Sequence, residues 1–158
     1  MLLKTTRFGE VEVGEDAIIT LTQPIIGFQE YRRFVLFDGP PDSGLKWLQS
    51  TDSPELAFLL FDPRQVVPDY TVDIGRHELT ELAVSSVSEL DVYTLLVVPK
   101  DPSKVRTNLK APVLINGRHR LGKQTVLEKS DYPIQFFLAQ ANQGTREPKE
   151  AANARTDS

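Results

Sequence analysis

The sequence predicts a mostly β chain, a small antiparallel β-barrel-like single domain with one or two short helices capping an open end. Three observations predict it. Apolar residues recur with a period of two rather than 3.6, in short runs rich in Val, Ile, Leu, Thr and aromatic residues. Eleven prolines and nine glycines are spread through the body and cut these runs apart. Ten such runs fall within the first 138 residues, a density that favours a barrel or sandwich.

In chain order, the first two candidate strands are LLKTTRF (2–8) and GEVEVG (9–14), followed by AIITLTQ (17–23) and RRFVLFD (32–38). Gly39-Pro40-Pro41-Asp42-Ser43-Gly44 is a loop. KWLQST (46–51) follows, with Trp47 expected half-buried, and then LAFLLFD (56–62). Leu56–Phe61 and Leu95–Val98 lack alternation, which predicts central strands covered on both faces. The best helix candidate runs from Arg76 to Val84, where Leu79, Leu82 and Ala83 follow an i, i+3, i+4 pattern. Ser85-Ser86 breaks it, and Ser88 is placed to cap one short turn through Glu89-Leu90. DVYTLLVVP (91–99) and PVLING (112–117) are strands, with Pro112 expected to open an edge strand because it cannot donate to a ladder. Asn116-Gly117 is the strongest tight-turn signal, since both residues tolerate positive φ. KQTVLEK (123–129) and PIQFFL (133–138) complete the set, so the domain is expected to span 1–138. From Ala139 the chain reads AQANQGTREPKEAANARTDS, with no aromatic or branched aliphatic residue, and is expected to be a polar tail at 139–158.

Composition excludes several function classes. There are no cysteines, hence no disulfides, thiolate nucleophiles or cysteine metal sites, and only His77 and His119 are available as imidazole ligands. No metal site and no cofactor is expected. The longest apolar run, Leu56–Phe61, is far short of the roughly 20 residues that cross a bilayer, and the N-terminal segment lacks an apolar signal region. A cytoplasmic location without membrane contact is the expectation. The net charge of −4 is unevenly distributed: residues 1–99 carry 7 Lys/Arg against 16 Asp/Glu, and residues 100–129 carry 8 against 2. An acidic body attracts basic partners and a basic stretch attracts phosphate, although both also read as solvated faces of a sheet.

The search for catalytic chemistry returns little. No dinucleotide or phosphate-binding glycine motif, nucleophile elbow or His-Glu-x-x-His string is present. His77 beside Glu78, and His119 between Arg118 and Arg120, leave open a small-ligand-binding or enzymatic barrel that uses nearby carboxylates. A deep pocket converging on either histidine would favour that alternative. Asp62 and Asp69 read as turn residues. Arg106, Lys110, Arg118, Arg120 and Lys123 could meet RNA backbone, but no aromatic residue accompanies them to stack bases, so direct nucleic-acid binding is not expected.

Several strings then occur in a characteristic order. They are Gly27-Phe28, Phe34, Leu48-Gln49-Ser50, Asp52 through Phe58, Phe61-Asp62-Pro63, Tyr70 and Val97-Val98-Pro99. Thr107-Asn108-Leu109-Lys110-Ala111-Pro112, Asn116, Gln124-Thr125-Val126-Leu127 and Tyr132 complete the order. Each alone is common, but together they resemble the FliW family of flagellar assembly factors over about residues 2–138. The resemblance implies a non-enzymatic bacterial regulator with a small β-barrel-like fold. It implies binding to CsrA, a dimeric RNA-binding translational repressor, with relief of its repression of flagellin mRNA, and binding to flagellin in competition with it. A monomeric protein is expected.

The motif residues carry structural readings beside the functional ones. Gly27 suits a tight turn and Phe28 suits a barrel plug. Gln49 and Gln124 are either buried amides in a hydrogen-bond network or exposed contacts. Thr107 and Asn108 can bond backbone and hold the loop before Pro112, or that loop is a partner-binding lip. The candidate partner-binding set is Gly27, Phe28, Gln49, Thr107, Asn108, Leu109 and Pro112, with no catalytic residue.

Overall fold

The structure, a computed structural model, describes residues 1–145. A two-stranded hairpin of β1 (Leu2–Thr5) and β2 (Gly9–Glu12) precedes the barrel. β3 (Ile18–Gln23), β4 (Arg33–Asp38), β5 (Leu45–Ser50), β6 (Ala57–Phe61) and β7 (Asp91–Val97) then form consecutive antiparallel pairs. A short strand β8 (Arg106–Thr107) adds to β7 outside the barrel. β9 (Val113–Asn116) pairs with β7 on one side and with β10 (Leu121–Gln124) on the other. β10 closes the ring by pairing with β3 in parallel, the one parallel pairing among these strands. The result is a closed seven-stranded barrel, and β11 (Phe136–Phe137) pairs with β8.

Alternation along each strand sorts side chains into three cores. Ile19 and Leu21 of β3, Phe34 of β4, Leu48 of β5, Leu60 of β6, and Val113 and Ile115 of β9 fill the barrel together with Ile25. Closure at β10 is tight around Gly122: a Cβ there would lie 3.1 Å from the Leu114 carbonyl oxygen and 3.3 Å from a Leu21 methyl, closer than side chains ordinarily pack. The outward side of β4 carries Val35, which packs with Leu3 and Val13 under the hairpin. The outward sides of β7 and β9 carry Val92 and Leu114, which are covered by Tyr70, Val72 and Leu82 around helix α1 (Arg76–Glu81). The Tyr70 hydroxyl donates to the Leu109 carbonyl at 2.6 Å, and burial pushes that phenol above its ordinary pKa. With cover on both sides, β4 and β9 read as nearly continuous apolar runs.

Several expectations need correction. The two non-alternating runs are not both buried: β6 buries Leu60 and Phe61, but Val97 and Val98 at the end of β7 are 45% and 58% exposed because the strand runs past its cover. Helix α1 stops at Glu81, and Ala83 takes a left-handed φ of 60° to end it. The following 3-10 turn, Val87–Glu89, is capped by Ser86 rather than Ser88, with Glu89 closing the capping box. Asn116-Gly117 is not a two-residue positive-φ turn. The turn is longer, Arg120 holds the positive φ of 55°, and the Asn116 side-chain oxygen accepts from the amides of Arg118 and His119. The strand expected at 123–129 is β10, shifted to Leu121–Gln124. Pro112 is buried and precedes β9, which is paired on both sides, so it does not open an edge strand. Helix α2 (Leu138–Thr145) begins at the expected domain boundary and buries Ala141; residues 146–158 of the expected tail lie outside the described residues.

Candidate partner-binding cleft

β3, β7 and β10 finish at the same end of the barrel, where β6 and β9 begin. Three loops meet there, after β3, before β9 and after β10. They surround an apolar cleft of about 370 Å³ lined by Ile25, Ile26, Phe28, Phe58, Val126 and Ile134 among others. Ile26 and Ile134 are 64% and 66% exposed, and Phe28 and Val126 are also on the surface. Exposed apolar side chains gathered in one place make this cleft a candidate contact surface.

The cleft is held by a small set of directed bonds. Gly27, at φ 91°, turns the chain after Ile25, and the Phe28 amide donates to the Ile25 carbonyl at 2.8 Å. Phe28 therefore does not plug the barrel. It sits at the mouth with its ring edge-on to Phe58 at 4.9 Å, and Phe58 in turn contacts Phe34 at 5.9 Å, linking surface to core. Gln124 bridges two of the loops: its side-chain oxygen accepts from the Ile26 amide at 2.9 Å and its nitrogen donates to the Ala111 carbonyl at 3.0 Å. Asn108 folds the third loop by accepting from the amides of Lys110 and Ala111.

Of the seven candidate residues, Gly27, Phe28 and Asn108 are brought together at this cleft. The other four are interior. The Thr107 hydroxyl bonds the Thr94 hydroxyl at 2.6 Å and the Leu95 carbonyl at 2.8 Å, Leu109 belongs to the core under α1, and Pro112 is buried. Gln49 is fully buried, and its side-chain nitrogen faces the carbonyls of Ser50, Ser53 and Pro54. These four present no side chain to a partner; they build the frame. Sequence reasoning missed Ile26, Val126 and Ile134: Val126 and Ile134 read as members of the strands expected at 123–129 and 133–138, and the one available signal was the nearness of Ile26 and Ile134 to Pro24 and Pro133.

A second, more polar cleft of about 880 Å³ shares Ile25, Ile26, Gln124 and Val126 with the first and extends toward α1. Lys123 lies in its wall, nearly buried, with its ammonium 3.0 Å from both the Glu78 and the Glu81 carboxylates. Burial opposes the charge on Glu81, but the Thr22 hydroxyl and the Lys123 ammonium outweigh it and hold the carboxyl below its usual range. Burial likewise opposes the Lys123 charge, and its bonds to Glu81 and Glu78 push it above the usual lysine value. Trp47 is half-buried as expected, with the Arg7 guanidinium 3.9 Å above its ring.

His77 and His119 are both exposed, and neither lines these clefts. Among the described residues, these clefts therefore give the histidine-centred alternative no support. The basic run is dispersed as well, since Lys123 is buried between carboxylates. Among the described residues, no helix is long and apolar enough to cross a membrane.

Comparison with known proteins matches the FliW protein family model to residues 2–138. A flagellar assembly factor FliW of Ruminiclostridium cellulolyticum is 34% identical over 139 residues, covering 87% of this chain and 94% of the relative. That of Natranaerobius thermophilus is 37% identical over 147 residues, covering 92% and 97%. A crystal structure of a flagellar assembly factor FliW aligns with a TM-score of 0.80 at 31% identity, covering 87% of this chain and 96% of that one. A barrel of this topology, matched in sequence and structure over nearly its whole described length, makes the chain a member of the FliW family.

Proposed function

We propose that this protein is a non-enzymatic cytoplasmic regulator of flagellum assembly that binds CsrA and flagellin in competition, with the apolar cleft at the barrel mouth as a contact surface. The observation that carries the reading is the cleft itself: Ile26, Phe28, Val126 and Ile134 expose apolar surface on a fold whose relatives are named flagellar assembly factors. An amphipathic helix with one apolar face, such as flagellin's terminal segments supply, is the kind of ligand such a groove accommodates. The acidic side chains Glu10, Glu12, Glu15 and Asp16 are all exposed around the hairpin, where they favour encounter with a basic RNA-binding partner. Capture of CsrA would free flagellin mRNA, and accumulating flagellin would displace it.

Calorimetry of the full chain with CsrA and, separately, with flagellin from the same organism tests this. Binding of both, each excluding the other, is expected, and Val126→Asp should weaken flagellin binding by placing a charge in the apolar cleft. No heat and no co-elution at tens of micromolar with either partner overturns the reading.

A further inference from the structure

The alternation of β10 and its continuation holds a relation that none of the single bonds reveals. Lys123 and Thr125 project to one side and Gln124 to the other, as strand geometry requires. On the first side stands α1: the Lys123 ammonium is shared by Glu78 and Glu81, and the Thr125 hydroxyl donates to the same Glu78 carboxylate. On the second side stands the cleft: Gln124 takes the Ile26 amide and gives to the Ala111 carbonyl, tying the loop after β3 to the loop before β9. The helix therefore grips the residues on both flanks of the one side chain that staples the cleft's two walls.

Two further facts mark this as a device for placement. The β10–β3 ladder slips by one residue between Gly122 and Lys123, so Gly122 faces Leu21 while Lys123 faces Gln23. Past that irregularity β3 no longer pairs with Gln124, whose one remaining strand partner is Val113 of β9. A nearly buried lysine between two carboxylates is also a poor source of stability, since apolar replacements of such groups are often neutral or better. What it supplies is a fixed direction.

We propose that Gln124 is a positioning residue for the apolar cleft and that the Lys123–Glu78–Glu81 cluster clamps it, so that α1 controls the shape of a cleft it does not line. The proposal rests on the cleft being the partner surface. Lys123→Met releases the clamp without touching the cleft. Its test is amide hydrogen exchange of the full chain together with calorimetry against full-length flagellin. The expected result is Ile26 exchange faster by ~10-fold and flagellin affinity weaker by ~10-fold, while amides of the β4–β5 ladder keep their protection. Ile26 exchange unchanged, or acceleration of the β4–β5 amides by the same factor, overturns the clamp, because the lysine is then either idle or merely a fold-stabilising residue. Should Lys123→Met fail to fold, Lys123→Met combined with Glu78→Gln and Glu81→Gln removes all three charges and is read against the same two outcomes. Val126→Asp separates the two ideas. If it binds flagellin as tightly as the parent, the cleft is not the partner surface, and the Ile26 exchange result still decides the clamp by itself.

Discussion

Gln49→Met is the sharpest perturbation of the frame, because the structure sets two opposing effects at one side chain. Gln49 is fully buried on β5, and its nitrogen lies 3.1, 3.2 and 3.3 Å from the carbonyls of Ser50, Ser53 and Pro54. An amide has two hydrogens for those three acceptors, so two bonds form at a time. At a net ~0.5–1.5 kcal/mol each, their loss costs ~1–3 kcal/mol. The side-chain oxygen has no donor among the described residues, and a dry oxygen of that kind costs about 1–3 kcal/mol, which methionine removes. Methionine has nearly the same length and fills the space, so no cavity term enters. The two effects offset, and the expected net change is within ~1 kcal/mol, a shift of less than about 4 °C in Tm for a chain of this size. Differential scanning calorimetry reads it directly. A fall of 10 °C or more would refute the reasoning, since it would mean the oxygen is hydrogen-bonded and the site is a satisfied network. Affinity for CsrA and flagellin should stay within about twofold, because no Gln49 atom reaches the surface.

The remaining predictions concern other parts of the fold. Ala83→Gly should raise stability by about 0.5–1 kcal/mol, read as a higher urea midpoint with unchanged slope, because Ala83 sits at φ 60° after α1 where glycine is unstrained. Gly122→Ala should lower stability by ~1–3 kcal/mol in the same assay, the added methyl meeting the Leu114 carbonyl oxygen, which is main chain and cannot step aside. Glu81 is held below its usual pKa in the folded state, so its contribution is present above the unfolded value of about 4.3 and is lost as pH falls through the folded one. Glu81→Gln should therefore flatten the decline of Tm between about pH 5 and pH 3. Reversing Glu10, Glu12, Glu15 and Asp16 should slow CsrA association at low ionic strength with little change in dissociation, as read by stopped flow.

Where the sequence was legible, the reason is local. Runs such as Ile18–Gln23 and Arg33–Asp38 carry both strand composition and turn residues at their ends, and they fold as strands where they were expected. Arg106–Thr107 was missed because two residues cannot display a period, and β8 exists through its pairings with β7 and β11. β10 was misplaced for a different reason. Gly122 weakens a strand reading, yet it suits the crowded closure with Leu114 and Leu21, while Val126 and Leu127 look like strand and instead run on as a loop wall. Gln49 and Thr107 stood out among the motif residues, but buried polar side chains with directed bonds serve the frame as readily as they serve a surface. The cleft itself was illegible, since Ile26 lies far in sequence from Val126 and Ile134 and meets them only when β10 closes on β3.

That closure also explains why one end of the barrel carries the sticky surface. A small barrel whose walls are covered outside by the hairpin and by the α1 core has already buried the apolar positions of both faces of its strands. The apolar side chains left exposed are then those in loops and strand ends. Of the eight large ones among the described residues, Ile26, Phe28, Val97, Val98, Val126 and Ile134 belong to the end where β3, β7 and β10 finish, against Met1 and Leu2 on the hairpin. Random surface scatter would not concentrate six of eight at one end, and a fold under no demand to bind there would have every reason to place polar residues in its loops. The loops at this end are instead braced by the Asn108 and Gln124 side chains and by the Phe28 to Ile25 backbone bond, which lowers the ordering cost of association. Apolar side chains held on a braced rim are what the proposed function asks of this end of the barrel, since a surface ordered before contact loses less freedom on binding.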